Sequence, residues 1–190
     1  MTNKMFFRCR LFLTALITVA IWSLLTWDYY HGGVPSHHLL ARNDLPAFSN
    51  WWGGLLLPLL TWFLLYRIQK RMGSDNEKKP SPSSIPNTIL YGFISALLFG
   101  IVLSTFFTLG NKDIPFYMMM SLFAAALFFP IYRADCFLGF VIGMTFTFGG
   151  VLPIGIGTIL ALIGAVLFLL IRPAILWVLT KLINLITTKK

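Results

Sequence analysis

The sequence predicts an all-α integral membrane protein, a bundle of six transmembrane helices followed by an interfacial C-terminal amphipathic helix. Hydrophobic residues make up 57% of the 190-residue chain and charged residues only 11%, against roughly 45–50% and 25% in soluble domains. Six apolar stretches approach the roughly 20 residues that cross a bilayer. They are residues 11–27, 51–66, 89–109, 114–132, 137–152 and 154–171. This composition excludes a soluble globular domain, and the presence of only two cysteines excludes a disulfide scaffold.

The first two stretches predict a two-span N-terminal unit, residues 1–66, with a long outer loop at residues 28–50. Residues 11–27 are longer than the apolar core of a cleaved signal peptide, which has about 7–15 residues, so we expect an uncleaved anchor. Residues 67–87 are the linker that follows, and its part from 73 to 87 is rich in Ser, Pro, Lys and Asn, a composition typical of a flexible segment. We expect this linker on the cytoplasmic side of the membrane.

Residues 88–172 predict a four-span unit. Residues 137–171 are too long for one span, and Gly149 and Pro153 favour a tight turn inside them. We therefore expect a helical hairpin, and the alternative is a broken or re-entrant element that other parts of the protein must cover. Small residues at intervals of four favour close helix contacts, either within the bundle or between copies of the chain. These residues are Gly139 and Gly143, and Gly157, Ala161 and Ala165.

The distribution of lysine and arginine predicts the orientation of the spans, because cytoplasmic connections carry an excess of both. With the N-terminus in the cytoplasm, 13 of the 15 basic residues fall on that side, and only Arg42 and Lys112 fall outside. Both termini are then cytoplasmic, and the expected location is the inner (plasma) membrane of a cell. Orientation and anionic lipid headgroups account for the net charge of +9, so nucleic acid is not an expected partner.

Residues 173–190 predict the amphipathic helix. Ile175, Leu179, Leu182 and Ile186 recur at spacings of three and four. That spacing is the period of one helix face. Because Lys181 lies in the middle of this 18-residue segment, we expect the helix to lie along the cytoplasmic interface rather than to cross the membrane.

The first outer loop concentrates the polar residues that metal chemistry needs. It holds all three histidines and two of the five aspartates of the chain, and imidazole nitrogens and carboxylate oxygens bind zinc, copper or iron. The candidate metal ligands are Asp28, His31, His37 and His38. If the first helix runs past Asp28, this residue and His31 share one helix face. Gly32 and Gly33 can then end the helix and turn the chain back.

Two further residues of this loop are candidate catalytic groups, Asp44 as a proton acceptor and Arg42 as the binder of an anionic headgroup. In the leading hypothesis the chain is a metal-dependent enzyme that acts on a lipid or another amphipathic substrate at the outer interface, through a metal-bound water. The alternative is a small transporter, channel subunit or assembly factor whose outer loop recognises a partner. The third interpretation is a purely structural subunit of a larger complex, and the residues of the loop then have only local roles, such as Asp44 as a helix N-cap. Membrane lipids are expected partners, as is a homo-oligomer or a larger membrane complex.

Overall fold

The computed structural model describes residues 3–38, 47–76, 87–111 and 113–187. Within these ranges the regular structure is helical apart from one small β-hairpin. The helices are α1 (Asn3–Tyr30), α2 (Gly53–Asn76), α3 (Asn87–Thr108), α4 (Asp113–Phe128), α5 (Ala134–Phe148), α6 (Val151–Val166) and α7 (Arg172–Thr187). The strands are β1 (Ser36–His38) and β2 (Ala47–Ser49), which pair antiparallel. The predicted helical class is therefore confirmed, with a minor β-hairpin between α1 and α2.

Among the described residues, four helices are long and apolar enough to cross a membrane. They are Lys4–Tyr30, Asn50–Met72, Asn87–Thr108 and Val151–Leu185. The helices α4 and α5 are also apolar, but they have only 16 and 15 residues. Each therefore rises roughly 22–24 Å, less than the ~30 Å of a hydrocarbon core. Length and composition suit the chain to a membrane, whereas the number of crossings depends on how the short helices pack.

The helix α5 lies at the centre of the bundle. Nine of its 15 residues are buried, and it packs against α2, α3 and α6. It runs parallel to α3, because their contacts advance in the same direction along both helices, from Thr88 with Arg133 to Phe107 with Phe148. Since α3 and α5 begin at the same end of the bundle, α4 returns the chain between them.

Glycines allow α3 and α5 to approach each other closely. A Cβ atom on Gly143 would lie 3.2 Å from the Cα of Gly100, and a Cβ on Gly139 would collide with the carbonyl oxygen of Phe93. Any larger residue at these positions would push the two backbones apart. The Gly139 and Gly143 ridge therefore makes its contact inside the bundle, which is one of the two alternatives that the sequence leaves open.

The helices α5 and α6 form a hairpin that turns at Gly149 and Gly150. Gly149 has a φ of +70°, which glycine adopts without steric cost. The helices are antiparallel, as the hairpin interpretation expects, because Gly157 of α6 packs against the ring of Phe137 in α5. The turn also rests on the start of α2 and the residues just before it, since a Cβ on Gly149 would collide with the side chain of Asn50 and a Cβ on Gly150 would lie 2.9 Å from the Cα of Gly53.

The end of α2 corrects the predicted linker. The sequence predicts the linker at residues 67–87, with its flexible composition at 73–87, but α2 continues to Asn76. Ile68 and Met72 are four residues apart on this helix, and both are buried in a cluster with Ile89 of α3. Their burial against other helices extends α2 beyond the apolar stretch, because only two apolar residues per turn are needed to hold one helix face in the core.

The structure also corrects the boundary of the C-terminal helix, because α6 and α7 form one continuous helix. A π-helical turn, Leu167–Ile171, joins them where the sequence predicts the end of a span. Pro173 lacks an N–H group and crowds the carbonyl four residues before it, and the wider π turn accommodates that crowding. Every side chain from 173 to 185 is exposed. The α7 segment therefore extends beyond the packed part of the bundle.

Candidate functional site

The starts of α3 and α5 and the last turns of α2 form one end of the bundle, called here the arginine end. Asp135 is only 1% exposed there. Its Oδ1 accepts hydrogen bonds from Nε of Arg133 at 3.1 Å and from Nη1 of Arg71 at 3.4 Å. Burial of a carboxylate is unfavourable unless it is paired and hydrogen-bonded. The two arginines meet that requirement.

Three helices position this cluster. Arg71 reaches it from α2, 64 residues before Asp135 in the chain. Arg133 directly precedes α5 with an extended backbone, φ −69° and ψ 150°, so its side chain lies beside the first turn of that helix. Asp135 is in the same turn, where the helix dipole favours a negative charge. Gly92 of α3 leaves space for the carboxylate of Asp135, because a Cβ at position 92 would collide with its Oδ2.

Arg133 retains hydrogen-bonding capacity beyond this cluster. Of the five N–H groups of its guanidinium, one bonds Asp135 and one bonds the carbonyl oxygen of Thr88 at 3.4 Å. The remaining N–H groups have no hydrogen bond to the described parts of the chain. Two arginines and one aspartate also leave the cluster with one excess positive charge. The site can therefore attract and bind an anion.

A groove of about 580 Å³ opens beside Arg133, between α3, α4, α5 and α6. Its lining is mostly apolar, and Arg133 alone carries a charge among these described lining residues. The other lining side chains with a polar group are Thr88, Tyr91, Ser95 and Cys136. At the rim, Tyr91 and Phe129 are 67% and 65% exposed, so the groove is open to the outer surface of the bundle.

Two of the predicted metal ligands, Asp28 and His31, lie at the end of α1. The helix runs through Asp28 to Tyr30, as the ligand hypothesis requires, and Gly32 and Gly33 follow it with positive φ. Nδ1 of His31 is 2.9 Å from the carbonyl oxygen of Trp27, and the two rings stack with centroids 3.8 Å apart. His31 is exposed and Asp28 is half-buried.

The other candidates lie further along the same loop. His37 and His38 are in β1, opposite Phe48 and Ala47 of β2. Arg42 and Asp44 lie outside the described residues. In the ranges that the structure does describe, no three His, Cys, Asp or Glu residues are grouped so that they could hold a metal ion. The metal site and the catalytic roles of Arg42 and Asp44 therefore stay predictions.

Sequence reasoning missed the cluster around Asp135. In the sequence pattern Arg133 is only one of the basic residues that indicate orientation, and Asp135 has no predicted role. One signal was present, because Asp135 is the last acidic residue of the chain and stands two residues after an arginine, at the start of a glycine-rich apolar stretch. An acid in that position needs a basic partner once the helix is packed.

No family model, curated protein or solved structure matches this chain. The geometry of the groove and the charges beside it are therefore what indicate its function. A mostly apolar cavity with one cationic end is complementary to a molecule that has an apolar chain and a polar head.

Proposed function

We propose that this chain is a six-pass membrane protein that binds an amphipathic lipid in the groove between α3, α4, α5 and α6. The observation that carries the proposal is the apolar lining of the groove, with its only charged lining residue among those described, Arg133, at the arginine end. The groove has an open rim at Tyr91 and Phe129, so a lipid can enter sideways from the bilayer. Its volume of about 580 Å³ is in the range of roughly 300–1,000 Å³ that is usual for ligand sites.

Packing supports six crossings although α4 and α5 are short. A span that other helices surround does not have to match the hydrocarbon thickness by itself, because protein covers its ends. This applies to α5, of which nine residues are buried. Because α3 and α5 are parallel neighbours, α4 has to cross back between them. Together with the four long helices this makes six passes.

The charge distribution supports a cytoplasmic arginine end in the inner (plasma) membrane. Arg71 and Arg133 lie there together, and both belong to the thirteen basic residues assigned to the cytoplasm. The exposed α7 segment leaves the bundle at the same end, since Phe168 just before it contacts Tyr132. Its apolar side chains and Lys181, which lies over the ring of Trp177 at 4.2 Å, suit a helix at the membrane interface.

A variant in which a bulky side chain fills the groove tests this function. Ala125 lines the groove, and Ala124 is exposed and does not line it. Ala125→Trp should weaken phospholipid binding about tenfold or more, because the indole occupies apolar volume that the lipid chain would bury. Ala124→Trp is the matched control and should bind as the original chain does. Native mass spectrometry of the purified protein, titrated with phospholipid in detergent, measures both. Equal binding by the two variants would contradict the proposal.

A metal-dependent enzyme at the loop after α1 is the second candidate. The observation that favours it is the contact between Nδ1 of His31 and the carbonyl oxygen of Trp27 at 2.9 Å. When Nδ1 donates to a backbone carbonyl, Nε2 is left as an acceptor for a metal, a common arrangement of metal-binding histidines. Metal analysis of the purified protein and of a triple variant, His31→Ala with His37→Ala and His38→Ala, tests it. Equal metal content in both proteins would rule this candidate out.

A further inference from the structure

We infer that the groove is selective for a phospholipid with a net negative headgroup, and that Arg133 binds this headgroup directly. The inference rests on the proposed function and adds the chemical class of the ligand. It depends on three features of the arginine end: the donors that Arg133 has left over, the charge balance of the cluster, and the position of the apolar groove.

The geometry of Arg133 suits a phosphate. Its Nε is held by Asp135 at 3.1 Å and its Nη2 by Thr88 at 3.4 Å, so the guanidinium plane is fixed before a ligand arrives. The remaining N–H groups can form the paired, charge-assisted hydrogen bonds that arginine makes with phosphate oxygens. A side chain that is already ordered loses less conformational entropy on binding.

Arg71 makes the net charge of the cluster positive. Arg133 and Asp135 alone would be a neutral pair with little attraction for an anion. Because Arg71 also contacts Oδ1 of Asp135, at 3.4 Å, the charge of the carboxylate is shared between two arginines. Arg133 lines the groove, whereas Asp135 and Arg71 do not line it. The positive charge that remains is therefore presented to the groove by Arg133.

The charged end and the apolar part of the groove follow each other in the same order as the headgroup and the acyl chain of a lipid. Apolar lining residues such as Phe99 and Leu160 continue from Arg133 toward the middle of α3 and α6. With a cytoplasmic arginine end, the headgroup would lie at the inner leaflet and the acyl chain would follow the groove into the bilayer. The cytoplasmic leaflet carries the anionic lipids, so the complementary ligand is present on that side.

Competition between two lipids with the same acyl chains tests the selectivity. The purified protein is titrated with phosphatidylglycerol and with phosphatidylcholine, and native mass spectrometry gives the ratio of the two affinities. We expect a preference for phosphatidylglycerol of about tenfold, the contribution of roughly one charge-assisted hydrogen-bonded contact. The variant that removes the preference is Arg133→Gln combined with Asp135→Asn, because the double change leaves no unpaired buried carboxylate.

In this double variant the affinity ratio should fall to about one while binding of phosphatidylcholine is retained. Arg67→Gln is the matched control, because Arg67 is exposed on α2 and does not line the groove, so it should keep the preference. Arg133→Lys should keep only part of it, since an ammonium lacks the planar pair of donors.

The outcomes separate the inference from the function on which it rests. If the original chain binds both lipids equally, or if the double variant keeps the full preference, the headgroup inference is wrong and the groove still binds lipid. If the original chain binds neither lipid, the proposed function itself fails. Loss of the preference in Arg67→Gln but not in the double variant, whose net charge equals that of the original chain, would show that overall charge, and not Arg133, selects the headgroup.

Discussion

Gly100 of α3 and Gly143 of α5 meet backbone to backbone. A Cβ on Gly100 would lie 3.3 Å from the Cα of Gly143 and 2.9 Å from the carbonyl oxygen of Phe140. This contact joins the two parallel helices whose first turns carry Thr88 and Asp135, and residues of both helices line the groove.

The first prediction concerns this contact. Gly143→Ala should lower the free energy of unfolding by about 1–3 kcal/mol, the usual effect of overpacking a close contact. Gly155→Ala is the control, because nothing lies within 4 Å of a Cβ there, and alanine is the better helix former by up to about 1 kcal/mol. Thermal unfolding in detergent measures both variants. If Gly143→Ala is as stable as Gly155→Ala, the two helices are not in contact at this point.

The second prediction ranks the arginines that pair with Asp135. Arg133→Gln should destabilise the protein by about 3–5 kcal/mol, because it removes the closer partner of a buried carboxylate. Arg71 is 38% exposed at its side chain, against 16% for Arg133, so solvent screens its pair and Arg71→Gln should cost about 1 kcal/mol or less. Chemical denaturation of the two variants tests the order. The reverse order would mean that Arg71 is the main partner of Asp135.

The third prediction concerns the turn between α5 and α6. Gly149 and Gly110 both have positive φ, +70° and +78°, so alanine at either position strains the backbone by about 1 kcal/mol. A Cβ on Gly149 would also collide with Asn50, whereas a Cβ on Gly110 meets nothing within 4 Å. Gly149→Ala should therefore lower the Tm clearly more than Gly110→Ala. Equal shifts would indicate that the turn does not rest on α2.

The fourth prediction concerns orientation in the membrane. In a chain with Cys9 and Cys136 replaced by alanine, a cysteine at Ser36 should react with a membrane-impermeant maleimide added to intact cells. A cysteine at Ser83 should react only after the cells are permeabilised, because the positive-inside rule puts the connection between α2 and α3 in the cytoplasm. If the cysteine at position 83 is labelled in intact cells and the cysteine at position 36 is not, the topology is the reverse of the one predicted.

The sequence by itself determined the features that depend on neighbouring residues. Runs of apolar residues predict the helices, since a helix in lipid satisfies its own backbone hydrogen bonds, and lysine and arginine mark one set of connections. Gly149 and Pro153 predict the turn between α5 and α6, because glycine and proline interrupt a helix locally. The end of α2 is predicted less accurately. It depends on the burial of Ile68 and Met72 against α3 and α5, and the sequence of α2 alone does not show which helices cover it.

Only the tertiary structure decided which distant residues meet. Asp135 and Arg71 are 64 residues apart, and their contact requires α2 to end where α5 begins. The groove requires α3 and α5 to run side by side in parallel, with α4 and α6 beside them. Hydrophobic periodicity fixes which face of a helix is apolar but not which helix covers it, because the attraction between apolar surfaces has no direction. Close contacts such as that of Gly100 with Gly143 select one arrangement among many, and that arrangement places Arg133 at the groove.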